Sequence, residues 1–298
     1  MIRENLRISG KLKVVVDGGN GTAGAVAPDL FREMGMDVVE LFCEADGRFP
    51  NHFPDPTVPE NLSFLMKKVM EVGADVGVAY DGDADRIGVV DERGKIIFGD
   101  YLLALFAREI LSRKPGATII SEVKASQNLY DDVARHGGRP VMWKTGHSLI
   151  KAKMKDEEAE LAGEMSGHIF FHDRYLGFDD AIYASLRLFE IIAKEGRALS
   201  NLLSDLPPVV STPEIRVDCP DEQKFRVVEN VAAAVAPMAL QVIDIDGIRA
   251  LFDGGWGLVR ASNTQPVLVM RFEGRDNETV ERIRAIMEDA IARACSEA

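Results

Sequence analysis

Cysteine is scarce in this chain. Its 298 residues include three, Cys43, Cys219 and Cys295, too few and too far apart for a disulfide framework or a zinc site. Positive charge is also short: 35 Lys and Arg face 48 Asp and Glu, a net charge of −13. That deficit argues against nucleic acid or an anionic membrane as a general partner. An anionic small molecule can still bind wherever positive charge is local. No apolar run is long enough to cross a bilayer, and no signal-peptide pattern precedes Lys11. A reduced, cytoplasmic protein is the expectation. What is plentiful is core-forming material. Hydrophobic residues make up 46% of the chain and charged residues 28%, a balance that excludes general disorder. The length exceeds one ordinary domain and points to two or three compact units.

The stretch with the most chemistry in it is Tyr80-Asp81-Gly82-Asp83-Ala84-Asp85-Arg86. Carboxylates at every second position can converge on one point, where they repel each other unless a cation intervenes. An all-oxygen donor set suits Mg²⁺ or Ca²⁺. Val78 and Ala79 before it and Ile87 to Val90 after it read as strands, so the acids fall on a loop between strands. Counted as an EF-hand, Asp81, Asp83, Asp85 and Glu92 occupy positions one, three, five and twelve. Arg86 then stands where that loop needs glycine, and the flanks are β-rich rather than helical. A solvated acidic turn is the plainer alternative. The adjacent Arg86 favours a cation-plus-guanidinium clamp for a phosphoryl group.

The rest of the chain reads as alternating elements. Strand Lys13–Val16, the glycine-rich turn 17–24 and helix Ala25–Met34 open an α/β unit. Gly19, Gly21 and Gly24 match G-x-G-x-x-G, with Glu40 or Glu44 as the distal acid. A lone match of this kind is weak, and a tight structural turn is the competing reading. A Pro-rich loop spans 46–59, followed by helix Asn61–Val72. A second α/β unit begins near Gly99, with helix 101–111 and strands 118–123 and 140–143. Loops at Lys124, Lys144–Ser148 and Glu164–His168 follow apparent strands. Helix Phe178–Glu195 closes this unit. Because functional loops of such sheets gather at strand carboxyl ends, these loops belong together. Past Pro207-Pro208 the order changes to a strand, a helix, several extended runs and a final helix 278–294, an α+β pattern. One of its turns is Arg260-Ala261-Ser262-Asn263-Thr264-Gln265-Pro266, which offers a guanidinium, hydroxyls, an amide and backbone N–H groups. That is a phosphate cradle or a plain hairpin turn.

Taken together, these loops resemble the α-D-phosphohexomutase superfamily, and most closely its bacterial phosphomannomutase/phosphoglucomutase branch. Asp81–Arg86 resembles the family's metal loop, Glu164-Met165-Ser166-Gly167-His168 its sugar loop, and Arg260–Thr264 its phosphate loop. Lys144–Ser148 and Asp17–Gly21 match further family stretches, and the resemblance runs through the whole chain in family order. Met165 favours the glucose/mannose branch over the glucosamine one. The fold this implies is α/β: two α/β domains with mixed sheets sandwiched by helices, then a C-terminal α+β domain with an antiparallel sheet. The divisions expected are a metal-binding domain at 1–98, a sugar-binding domain at 99–206 and a phosphate-binding domain at 207–298.

The resemblance also implies roles. Asp81, Asp83 and Asp85 would hold Mg²⁺, and Arg86 would neutralise a moving phosphoryl group. Glu164 and Ser166 would bond sugar hydroxyls. Arg260, Ser262, Asn263 and Thr264 would grip the phosphate that is not reacting. His168 is the candidate general acid/base, with a hydrogen-bonding loop histidine as its alternative. His147 is a candidate for sugar or phosphate binding, and Lys124 for anion stabilisation. The expected partners are glucose or mannose 1- and 6-phosphates and their bisphosphate intermediate. Family enzymes carry a phosphorylated serine on a first domain, in a Thr-Ala-Ser-His-Asn-Pro type loop that does not occur here. The chain is therefore expected to need that missing domain and to be inactive alone. A non-catalytic phosphosugar-binding or regulatory protein is the alternative.

Overall fold

A computed structural model describes residues 2–296. In chain order its elements are α1 (Ile2–Asn5), β1 (Lys13–Asp17), α2 (Ala27–Glu33), β2 (Asp37–Leu41), α3 (Ser63–Val72), β3 (Val76–Tyr80), β4 (Ile87–Asp91) and β5 (Ile96–Ile97). Then come α4 (Gly99–Arg113), β6 (Thr118–Glu122), α5 (Gln127–Arg135), β7 (Arg139–Trp143), α6 (His147–Asp156), β8 (Leu161–Gly163), β9 (Ile169–Phe171), α7 (Ala181–Glu195) and α8 (Leu199–Leu202). The remainder is β10 (Val210–Ser211), β11 (Ile215–Asp218), α9 (Asp221–Val235), β12 (Gln241–Ile243), β13 (Ile248–Phe252), β14 (Gly255–Ala261), β15 (Val267–Gly274) and α10 (Asn277–Ser296).

Residues up to Met142, with Gly146–Leu206, form one compact unit; Pro207 onward, with Trp143–Thr145, forms the other. The first unit holds two mixed sheets, ordered β2-β1-β3-β4-β5 and β7-β6-β8-β9. Strand β1 is parallel to both β2 and β3, whereas β3, β4 and β5 run antiparallel. In the second sheet β6 and β8 are parallel and β8 and β9 antiparallel. The alternation of strand side chains assigns the faces. Val15, Ala79 and Val90 turn to Leu65 and Val69 of α3. Val14, Val16, Val78 and Val89 turn the other way, into a core built with α2, α4 and α7.

That second core does not stop at the first sheet. It continues through Leu103 and Phe106 to Ile119, Leu161 and Phe171 of the second sheet. Every residue from Leu102 to Ala107 of α4 is buried, so this helix is covered all round, as a helix between two layers must be. The spans 1–98 and 99–206, read from sequence as successive domains, thus share a core. The second unit has an antiparallel sheet ordered β10-β15-β14-β13-β12, with β11 also paired to β15. Ala250, Phe252, Val259, Met270 and Phe272 pack there against Val227 and Val231 of α9 and Ile283 and Met287 of α10.

Two sequence expectations need correction where they touch the site. Helix α7 begins at Ala181, not Phe178, because Asp180 caps it by accepting the Tyr183 N–H at 2.9 Å. His147 and Ser148, expected in a loop, are the first residues of α6. Their amides need no partner within the first turn, so sequence leaves that boundary open.

Candidate active site

Strand order places the loops. The carboxyl ends of β1 and β3 are neighbours, with Asp17 opposite Ala79, so the glycine-rich turn and the acidic loop emerge side by side. Thr22 donates its backbone N–H to the Gly82 carbonyl at 3.0 Å. The glycine-rich turn is closed by its own chain. A Cβ on Gly24 would stand 2.1 Å from the Cys43 carbonyl oxygen. Buried Asp17 accepts the Gly19 N–H at 2.9 Å and pairs with His52 at 3.1 Å. Glu40, one of the acids considered for a ribose, is paired with Arg32. The turn supports the acidic loop, with Thr22 bonded to Gly82. Glu92, the twelfth position of the EF-hand count, bonds Ser200 instead, and strands β3 and β4 flank the loop.

Asp81, Asp83 and Asp85 bring one carboxylate oxygen each within 4.8 Å of the others. Buried Asp81 folds the loop over itself. Its Oδ1 accepts the N–H groups of Asp85 and Arg86, both at 3.1 Å. Its Oδ2 accepts Arg86 Nε at 2.7 Å. Ala84 takes a left-handed turn (φ 66°), and its carbonyl receives the N–H of Ala181 at the start of α7. Arg86 also reaches Asp55 at 3.0 Å. Burial pushes the Asp85 carboxyl up to about 6, and its bond to Asp81 and the charges of Asp81 and Asp83 add to the shift. A trio of hard oxygen donors under mutual repulsion fits a divalent cation such as Mg²⁺.

The Glu164–His168 loop is fastened to this acidic loop. Arg86 and His168 form an isolated antiparallel bridge, and Ile87 donates its N–H to the Gly167 carbonyl at 3.1 Å. Gly167 has φ +97°, and a Cβ there would lie 2.3 Å from the Ile87 carbonyl oxygen, so only glycine allows the approach. Register in the second sheet brings Lys124 and Glu164 together, since they follow the adjacent parallel strands β6 and β8. Glu164 is buried and accepts the Gly146 N–H at 2.7 Å. Burial pushes its carboxyl up to about 7, aided by the charge of Glu122. Glu122 accepts the Met165 N–H at 3.0 Å and lies 3.4 Å from the buried Lys124 amine. Ser166 sits half-buried in the loop. His147, exposed at the start of α6, stacks on His168 with ring centroids 5.5 Å apart. His168 Nδ1 is 3.6 Å from Asp85 and 3.3 Å from Asp179.

The phosphate-loop candidates lie in the other unit, on the β14–β15 turn. Arg260 is buried and pairs with Asp246 at 2.9 Å. Ser262 Oγ accepts the N–H groups of Thr264 and Gln265 at 3.3 and 3.2 Å, while Asn263 and Thr264 are exposed. The buried Lys224 amine donates to the Ser262 and Gln265 carbonyls at 2.6 and 3.2 Å, which clamps the turn from below.

Sequence reasoning passed over Glu122, Lys224, Asp55 and Asp179. The Asp179-Asp180 doublet carried a usable signal: one Asp suffices as a helix cap, and the other is left over. The remaining three are ordinary charged residues whose partners come from distant elements.

Residues 2–94, 98–210 and 214–290 match, in that order, domain II, domain III and the C-terminal domain of the phosphoglucomutase/phosphomannomutase family. A phosphomannomutase/phosphoglucomutase of Pseudomonas putida is 51% identical over 289 residues, covering 97% of this chain and 62% of that protein. A phosphoglucomutase/phosphomannomutase family protein from Burkholderia thailandensis has a crystal structure that superposes with a TM-score of 0.92 at 47% identity, covering 98% of this chain and 63% of the other. Aspergillus fumigatus N-acetylphosphoglucosamine mutase, crystallised with GlcNAc-6P and magnesium, shares the fold at a TM-score of 0.73 and 16% identity, covering 99% of this chain and 64% of the other. The chain belongs to the phosphoglucomutase/phosphomannomutase family, within the phosphohexomutase superfamily. It spans less than two thirds of the length of these relatives.

Proposed function

We propose that these residues form the metal-, sugar- and phosphate-binding domains of a phosphohexomutase. It would interconvert hexose 1-phosphate and hexose 6-phosphate of the glucose or mannose type through a bisphosphate. The observation that carries this reading is the bridge between Arg86 and His168, which joins three convergent carboxylates to a loop bearing a buried carboxylate and a histidine. Asp81, Asp83 and Asp85 would hold Mg²⁺, the ion named with the Aspergillus relative. Bound there, the cation would neutralise charge on a phosphoryl group. Arg86 would add a second positive group beside it.

Glu164 would accept hydrogen bonds from a vicinal pair of sugar hydroxyls, with Ser166 supplying a third contact. His168 would take the proton of the attacking hydroxyl, and His147 and Lys124 would contact substrate oxygens. Arg260, Ser262, Asn263 and Thr264 would grip the phosphate that is not reacting, so that binding energy serves orientation. The phosphoryl carrier would come from a first domain outside these residues, and turnover by this chain alone is not expected. The second reading is a phosphosugar-binding protein without turnover.

Titration calorimetry with glucose 1-phosphate and Mg²⁺ tests the binding claim. Glu164→Ala and Arg260→Ala should each weaken binding at least about tenfold, the loss of one hydrogen bond to a charged group. Affinity unchanged in both variants would sink the reading. Adding the first domain of the Pseudomonas relative then separates the two alternatives, since only a mutase part gains turnover.

A further inference from the structure

The loop between β9 and α7 sends Asp179 back into the site. Its side chain is nine-tenths buried, and its backbone pairs with Phe170 in an isolated bridge. Asp180, the next residue, does the capping of α7 and also accepts the Tyr175 hydroxyl at 2.6 Å. Asp179 is therefore free of any duty to the helix. Its Oδ1 takes the Lys151 amine at 3.0 Å, which keeps it ionised. Its Oδ2 faces two imidazoles, His168 Nδ1 at 3.3 Å and His147 Nδ1 at 3.5 Å. Asp179 Oδ2 and His168 Nδ1 are both sealed from solvent, and neither makes a well-formed hydrogen bond. Their mutual approach is what each has in place of water. Two rings lie nearly parallel to that of His168, His147 at 5.5 Å and Phe170 at 6.3 Å.

We propose that Asp179 is a positioning residue that holds the proton of neutral His168 on Nδ1, leaving Nε2 as the one ring atom able to accept a proton. The inference rests on the reading above that His168 receives a substrate proton. A carboxylate against one ring nitrogen sets the tautomer at the other. Asp85 Oδ1, at 3.6 Å from the same nitrogen, is beyond hydrogen-bond reach. It cannot replace Asp179.

The test is long-range ¹H–¹⁵N spectroscopy of the ¹⁵N-histidine-labelled protein at alkaline pH, where imidazoles are neutral. The chain has five histidines, and His168→Asn identifies the signals of residue 168 by their loss. The unaltered protein should show His168 in the Nδ1–H form. Asp179→Ala should lose that pattern and show the Nε2–H form that free imidazole prefers. Asp179→Asn, which keeps the side chain's shape, should show a mixture. Unchanged signals from His52, His136 and His172 certify the fold of each variant. Retention of the Nδ1–H form in both variants, or an Nε2–H form in the unaltered protein, overturns the role of Asp179. Failure of the functional reading looks different: glucose 1-phosphate does not bind, whatever the tautomer.

Discussion

Single side chains in this protein are decided by what burial leaves them facing. Asp173 is almost fully enclosed, and burial alone would raise its pKa; Arg113 and Arg187 outweigh that and hold it down at about 2. Its ion pairs therefore stabilise the fold fully above the ordinary carboxylate range, and that contribution disappears as pH falls toward 2. Asp173→Asn leaves the fully buried Arg187 with less compensation. The variant should lose about 3 to 5 kcal/mol in urea unfolding at neutral pH, with the difference from the parent shrinking in acid. Glu164 moves the opposite way. Burial and Glu122 lift it to about 7, so it gains its charge only as pH rises through neutrality. The charged form is the stronger acceptor for hydroxyl donors. Affinity for a hexose phosphate should strengthen from pH 6 to 8 relative to Glu164→Gln, and parallel profiles for the two proteins would refute the assignment.

Elements impose constraints that no single residue carries. The acidic loop and the Glu164–His168 loop come from different sheets, and the strip Arg86–Ile87 against Gly167–His168 is what joins them. Gly167→Ala puts a methyl group into the Ile87 carbonyl and strains a left-handed residue. It should cost more than about 1 kcal/mol by unfolding, and Mg²⁺-dependent stabilisation should drop with it. A variant as stable as the parent, with the same response to Mg²⁺, would show that the strip does not matter. Helix α4 makes the same point about packing. Its unbroken run of buried residues from Leu102 to Ala107 serves two sheets at once, so 1–98 and 99–206 cannot be separated without exposing that helix.

Among the described residues, the hydrophobic clusters before Pro207 share no residue with the cluster after it. Calorimetry should resolve more than one unfolding transition. Mg²⁺ should raise only the transition of the unit that holds Asp81, Asp83 and Asp85, by the free energy of its binding, and Asp83→Ala should abolish the rise. A single transition that moves as a whole would contradict this independence.

Much of this was legible in the chain itself. The Asp-x-Asp-x-Asp spacing, the strand–turn–helix punctuation and the change of pattern at Pro207-Pro208 are local, and local physics writes them into adjacent residues. The candidate loops could be grouped because parallel strands place their following turns at one edge. Tertiary structure alone decided the rest. His168 meets Asp179 across eleven positions, Glu122 reaches Met165 across more than forty, and Lys224 finds the Ser262 turn from helix α9. Charges like these look like solvated surface until the fold removes water from around them, and only then does a partner become compulsory.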